Sequence, residues 1–238
     1  MYFQSKAIIA DMDGVVFKHP KLLKMVSERA VGFVKKRINP YMKHRKAKQI
    51  NEVLYKNFGH TVLGLREIYD STVTIKDFCD YVYDRDFIAS MSSIKKDDEY
   101  YEHQIEVKNM ISRIKAQHQE FYIFSNATVE WCQGALDMMD IPVERNYIIG
   151  CNTEIHGRNM CLKPEKHSYT KMMECVHENT GYDYKTQLVF IDDQFANLTP
   201  VMSNPYWKTI WYTPDKEQPI YTDKIYSIKD LNQLHLLL

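Results

Sequence analysis

Three apolar, β-favouring runs, each followed at once by polar residues able to do chemistry, constrain this chain more than any other feature. Lys6-Ala7-Ile8-Ile9-Ala10 leads into Asp11-Met12-Asp13, Phe121-Tyr122-Ile123-Phe124 into Ser125-Asn126, and Leu188-Val189-Phe190-Ile191 into Asp192-Asp193. Runs so nearly continuous in apolar residues read as strands buried on both faces, the habit of parallel sheets. The carboxyl ends of such strands share one rim, and ligands bind there. Segments far apart in sequence therefore converge on one small site, and Lys163-Pro164 supplies a further polar word between the second and the last.

The assembled rim would hold four carboxylates, Asp11, Asp13, Asp192 and Asp193, against one cation, Lys163. Two unit charges ~4 Å apart interact by ~4 kcal/mol at an effective dielectric near 20. Crowded carboxylates resist ionisation unless a cation intervenes. An all-oxygen donor set with no His or Cys beside it favours a hard divalent ion, Mg²⁺ foremost. A metal and a lysine beside the Ser125 hydroxyl and open backbone N–H groups form a receptor for a phosphoryl group.

In this order and after these strands, the four words DMD, SN, KP and DD resemble the haloacid dehalogenase (HAD) superfamily over residues 6–200. The resemblance implies a doubly wound α/β parallel-sheet core with an inserted helical cap. It also implies roles. Asp11 would be the nucleophile that becomes an aspartyl phosphate, and Asp13 the acid that protonates the leaving oxygen and then activates water. Asp11, the backbone carbonyl of Asp13, and Asp193 with Asp192 would hold Mg²⁺. Ser125 and the N–H of Asn126 would bind phosphate oxygens, while Lys163 would orient Asp11 and neutralise the phosphoryl group. Asp13 separates reactions within the superfamily: halide leaves without a proton, whereas an alkoxide needs one, so phosphoryl transfer is favoured over dehalogenation.

Helical spacing fills the first long gap. Leu22, Val26, Ala30 and Phe33 recur on one face, as do Ala47, Ile50 and Leu54, and Thr74-Ile75-Lys76-Asp77 reads as a capping box before Phe78 and Val82. Roughly 115 residues separate Asp11 from Ser125, far more than a simple crossover needs. The resemblance makes 17–95 a helical cap, with 6–16 and 96–238 as the core. Roughly 40 residues between Ser125 and Lys163 leave no space for a second cap. In the core, Ile105, Val107, Met110, Ile111 and Ile114 suit a helix, Trp131, Leu136 and Met139 another ended by Pro142, and Pro164 the first turn of one stopped by Gly181. Thr209–Tyr212 reads as a strand, and Leu231, Leu234 and Leu238 suggest a terminal helix.

A helical cap closing over the rim would exclude water and admit small leaving groups, so the expected partner is a small phosphorylated metabolite. Within the cap, residues 54–65 (LYKNFGHTVLGL) resemble a segment of pyrimidine 5′-nucleotidase-like members of the superfamily. There Gly59 would end one helix, Thr61 would cap the next, and Tyr55, Phe58 and His60 would face a nucleobase; plain packing at a helix–turn–helix is the simpler use of the same residues. A nucleoside 5′-monophosphate nucleotidase is thus one reading, a phosphosugar phosphatase or mutase another, and a HAD-fold protein that binds phosphorylated ligands or a partner without turnover a third.

Composition agrees with such a domain. The 238 residues are 45% hydrophobic, and 31 basic side chains cancel 31 acidic ones. Global charge therefore does not advertise a nucleic-acid polymer as partner. No apolar run approaches the ~20 residues of a membrane span. The apolar stretch near the N-terminus is broken at Asp11, unlike a signal peptide, and Tyr2-Phe3-Gln4-Ser5 resembles a protease-site remnant outside the fold. Five cysteines (79, 132, 151, 161, 175) form no CxxC, so reduced thiols are expected, although Cys151 and Cys161 lie close enough in sequence to pair or bind metal. Asn126 and Asn197 both head glycosylation-type triplets beside the proposed site, where a glycan would obstruct it, and a cytoplasmic location fits best. The basic stretch Lys43–Lys48, near Lys35-Lys36-Arg37, reads as a solvated helix face, with steering of anions as the alternative.

Overall fold

The computed structural model of the protein describes residues 5–94, 96, 98–154, 162–214 and 225–236. Cys161, Tyr2, Phe3, Gln4 and Leu238 lie outside the described residues. Among those described, six parallel strands form one sheet in the order β3-β2-β1-β4-β5-β6. They are β1 (Ala7–Ala10), β2 (Glu120–Phe124), β3 (Ile148–Ile149), β4 (Leu188–Asp192), β5 (Trp207–Tyr212) and β6 (Ile225–Ile228). The continuous apolar runs are at the centre: β1 pairs with β2 on one side and β4 on the other, Ile9 opposite both Tyr122 and Phe190.

Alternation assigns the two faces. Ile8 and Ala10 pack in one core cluster with Ile123, Val189 and Ile191, while Ala7 and Ile9 pack in a second with Tyr122, Phe124 and Phe190. Helices α6 (Asp98–Ala116) and α7 (Val129–Met138) cover the first face; α8 (Lys166–Thr180) and α9 (Phe195–Leu198) cover the second. Every central strand is thus buried on both sides, which explains the lack of polar alternation in the sequence.

Between β1 and β2 the chain is helical: α1 (Pro20–Ile38), α2 (His44–Phe58), α3 (Thr61–Ile68), α4 (Ile75–Val82) and α5 (Arg85–Ser90). α1 to α4 share a third cluster around Phe33, Leu54, Val62, Leu65 and Phe78, joined from the sheet side by Cys151 and Leu162. Leu22 and Phe87, near the two ends of this helical run, instead pack in the first core cluster. The Thr74–Asp77 box forms in both directions, Asp77 N–H to Thr74 Oγ1 and Thr74 N–H to Asp77 Oδ2, each 3.0 Å. Gly59 ends α2 with φ 75°, and a Cβ there would stand 2.6 Å from Pro164 Cδ. Both its backbone and its closeness to the loop of Lys163 require glycine.

Some expectations are corrected. Thr61 is the first residue of α3, not its cap: His60 Nδ1 accepts the Val62 N–H at 3.2 Å, and Thr61 Oγ1 donates to Asn51 Oδ1 at 2.8 Å. Pro164 precedes α8, whose cap is Glu165, because the Lys163 backbone is held by Asn126. Ile105 is 60% exposed on the outer face of α6. The terminal leucines form a 3₁₀ turn over Leu231–Leu236. The Lys43–Lys48 stretch is mostly exposed, with His44 on Glu28 at 2.9 Å and Arg37 on Asp77 at 2.8 Å. Among the described residues no helix is long and apolar enough to cross a membrane.

Glu106 ties α6 to that terminal turn. Burial opposes its ionisation, but the His103 ring at 3.2 Å and the Leu231 N–H stabilise the carboxylate and hold it at about 2, against an ordinary 4.5. An acid depressed by folding adds stability that is complete above its unfolded pKa and is lost as pH falls through the folded one. Glu106→Gln is expected to cost about 1–3 kcal/mol at pH 7 in urea unfolding. The variant should also lose less stability than the parent as pH falls from 4.5 to about 2, the interval over which the parent protonates Glu106.

Candidate active site

Strand order brings the polar words together. β1 runs straight into Asp11, whose N–H still donates to Ile191 O on β4 at 2.9 Å. β4 ends in Asp192, and Ser125 follows β2, its N–H on Ile149 O at 2.9 Å. Lys163 arrives from the loop before α8 and is 1% exposed. Its Nζ donates to Asp11 Oδ1 at 2.8 Å, Asp192 Oδ2 at 2.7 Å and the Phe124 carbonyl at 2.8 Å. Three ammonium protons meet three acceptors at the ends of β1, β2 and β4.

The sequence words contain Asn126 but do not show that its side chain holds that lysine. Asn126 clamps its backbone from both sides, accepting the Lys163 N–H at 2.7 Å and donating to the Lys163 carbonyl at 3.0 Å. Asn197 donates to both oxygens of Asp192 at 3.0 and 3.1 Å, and the Gln194 N–H adds a bond of 2.8 Å. Asp192 therefore has both oxygens engaged by protein donors.

Asp11, Asp192 and Asp193 each place a carboxylate oxygen within 4.8 Å of the others. Burial, then the Asp192 and Asp193 charges, raise Asp11 well above the usual carboxylate range against the pull of Lys163. Burial and Asp192 raise Asp193 to about 6. One ammonium does not neutralise three carboxylates, and the hard oxygens of Asp11 and Asp193, with the hydrogen-bonded Asp192 beside them, fit a divalent cation such as Mg²⁺. Gly14 allows the arrangement: its φ is 92°, and a Cβ there would lie 2.6 Å from Asp193 Oδ2.

The side chain of Asp13 lies outside that group. Its Oδ1 accepts the Trp131 indole N–H at 2.9 Å, and burial raises it to about 6 although that bond and Lys163 pull the other way. Trp131 is itself fixed by stacking on Phe87 at 5.7 Å. Ser125 Oγ accepts the Ala127 N–H at 3.1 Å.

Above the rim is a cavity of about 320 Å³. Asp11, Asp13, Ser125, Asn126 and Lys163 form its floor, while Leu23, Val26, Asn51, Tyr55, His60 and Phe78 from α1 to α4 line its walls. Phe58 is not among the lining residues. Tyr55 is 42% exposed, yet desolvation at its hydroxyl and the field of all four aspartates push it up from its ordinary value, so it stays protonated and a donor. Burial and Arg66 hold His60 neutral, at about 3, and its ring packs on Phe78 at 4.9 Å.

No family model matches the chain, and no curated protein matches it. Solved structures do. CbbY from Rhodobacter sphaeroides, in complex with phosphate, aligns with TM-score 0.61 at 10% identity, covering 97% of this chain and 96% of that one. The HAD-hydrolase YfnB from Bacillus subtilis, bound to magnesium, aligns with TM-score 0.56 at 16% identity over 99% of both chains. The chain has the HAD fold. A phosphoserine phosphohydrolase-like protein from Francisella tularensis shares it, with TM-score 0.55 at 19% identity over 98% of this chain and 99% of the other.

Removing the buried cation of this HAD-fold site leaves Asp11 and Asp192 unpaired. Lys163→Met is expected to destabilise the protein by about 3–5 kcal/mol, read from urea unfolding. Adding Asp192→Asn to it should recover part of that loss, whereas additive losses would mean that the two side chains do not interact.

Proposed function

We propose that the protein is a Mg²⁺-dependent phosphatase that hydrolyses small phosphomonoesters through an aspartyl phosphate on Asp11. The observation that supports this most is the separation of the carboxyls at the rim: Asp11 bound to Lys163 and grouped with Asp193, Asp13 held apart on Trp131.

The chemistry follows from those positions. Ser125 and the Asn126 N–H hold the phosphate oxygens, and Lys163 orients the Asp11 carboxylate. An Asp11 oxygen bonds to phosphorus as the ester P–O bond breaks, and Asp13 gives its proton to the departing alcohol. The Asp13 carboxylate then takes a proton from water, whose oxygen attacks the phosphorus, releasing inorganic phosphate and freeing Asp11. Mg²⁺ bound by Asp193, Asp11 and the Asp13 carbonyl, with Asp192 beside them, would supply charge neutralisation for the phosphoryl oxygens. A carboxyl two residues after the nucleophile serves an alcohol leaving group and is of no use to a halide, which favours phosphatase over dehalogenase.

The insertion over 17–95 is the proposed cap, since α1 to α4 supply the cavity walls. Nucleoside 5′-monophosphates are the proposed substrate class, supported by Tyr55 and His60 facing the cavity beside apolar Leu23, Val26 and Phe78. A phosphosugar phosphatase or mutase is the alternative, and a cytoplasmic setting belongs to the same proposal.

Phosphate release from CMP, UMP, AMP, phosphoglycolate and hexose phosphates tests the reading. Release from the nucleotides is expected with Mg²⁺ and loss of it with EDTA, while hexose preference would favour the alternative. Asp11→Asn is expected to fall below about one-thousandth of the parent rate. Asp13→Asn should lose about 10²- to 10⁴-fold. Substantial turnover by folded Asp11→Asn, or no release by the parent from any ester, would sink the proposal.

A further inference from the structure

Two cysteines 72 positions apart in sequence meet in the structure: Cys79 Sγ lies 3.2 Å from Cys151 Sγ. Cys79 is on α4, in the helical insertion, and Cys151 follows β3 at the edge of the sheet. Both are thiols, and both are buried in the third cluster. Cys79 lines a groove of about 610 Å³ between α4, α5 and α7, with Tyr83, Asp84, Ile88 and Thr128 among its other walls. Burial raises Cys132 well above the ordinary thiol range and Cys175 to about 12. The pairing raised by the sequence was Cys151 with Cys161, which lies outside the described residues.

We infer that Cys79 and Cys151 form a reversible disulfide site, oxidised by small disulfides of the glutathione type entering through this groove. A disulfide has an S–S bond of about 2.05 Å, so the sulfurs must approach by about 1.2 Å, a shift that side-chain torsions and a small movement of α4 supply. Cys79, at the groove, loses its proton to solvent and attacks one sulfur of the oxidant, and the first small thiolate leaves. Cys151, deprotonated in turn, attacks the Cys79 sulfur of the mixed disulfide and displaces the second. The two released thiolates take up the two protons, so the protein loses two hydrogens and one small disulfide becomes two thiols.

The bond would fix a wall of the cavity to the edge of its floor. Phe78, the neighbour of Cys79 on α4, lines the cavity above the rim. On the opposite side, the Cys151 N–H donates to the Ala127 carbonyl at 2.9 Å, and Ala127 is also a lining residue. Oxidation would therefore join the α4 wall to the loop carrying Ser125 and Asn126, and exchange of substrate and product would slow. This second part rests on the proposed phosphatase activity; the disulfide site does not.

The folded protein is incubated with oxidised glutathione, its remaining thiols are alkylated, and its peptides are mapped by mass spectrometry. A Cys79–Cys151 cross-linked peptide is expected, absent after dithiothreitol and absent in Cys79→Ser, yet retained in Cys132→Ser and Cys175→Ser. The bridge should raise the thermal midpoint of the oxidised protein by about 4 °C or more. Glutathione adducts alone, a Cys151–Cys161 bridge, or no oxidation of the folded protein would overturn the site. Mg²⁺-dependent phosphate release should fall at least fivefold on oxidation and return on reduction, with Cys79→Ser insensitive. A bridged protein turning over at the reduced rate would overturn the gating while leaving the disulfide, and loss of all activity in both states would count against the phosphatase reading alone.

Discussion

The ammonium of Lys163 is the contact on which the rest of the structure turns. Removing an ammonium and two carboxylates from water costs several kcal/mol per ion, so the arrangement is tolerable only with its hydrogen bonds complete. Here all three protons are used, on Asp11, Asp192 and the Phe124 carbonyl. Those acceptors stand side by side because β1 lies between β2 and β4. The rings of Phe124 and Phe190 flank the cation at 5.1 and 5.8 Å and keep water from it. Outward from the lysine, Asn126 fixes its backbone and Gly59 brings the end of α2 against Pro164. One buried charge thus ties together the rim, the loop before α8 and the helical insertion.

The same cation divides the acids into unlike groups. Asp192 receives Lys163, Asn197 and the Gln194 N–H, and is occupied with holding the lysine. Asp11 shares the same lysine, and the field of Asp11 and Asp193 acts on the Tyr55 hydroxyl. Asp13 is turned aside onto Trp131. Two carboxyls only two residues apart thereby have different surroundings, Asp11 on the Lys163 ammonium and Asp13 on the Trp131 indole.

How much of this the sequence disclosed follows from what each feature depends on. β1, β2 and β4 are legible because burial on both faces leaves an unbroken apolar run, and the Thr74–Asp77 box because all its partners lie within four residues. β3 has only two residues, and β6, though as long as β1, is interrupted by Ser227 and so shows no unbroken apolar run. His60 as the cap of α3 was hidden by a Thr beside it, a residue type that more often has that role. Trp131 on Asp13, Asn126 around Lys163 and Asn197 on Asp192 could not be read from spacing, since each depends on side-chain positions that exist only after the sheet is assembled. For Asn197 the one local signal was its place five residues after Asp192, on the short α9.

The cavity has a floor and walls of different mechanical character. Its floor is set by strand ends in a sheet packed on both faces, and by a lysine with no unused proton; it has little freedom to move. Its walls come from α1 to α4, which pack mainly on one another around Phe33 and Leu54 and reach the sheet side through Cys151 and Leu162. Rigid-body motion of such a helical group costs less than distortion of the sheet, because its own cluster stays intact. The contacts at Cys151, Leu162 and Pro164, together with those of Leu22, Leu23 and Val26 on the first core cluster, therefore govern how the walls sit over the acids. Phe78 and Cys79 are adjacent on α4, one toward the cavity and the other toward Cys151, so a change at that sulfur contact is felt one residue away at the wall.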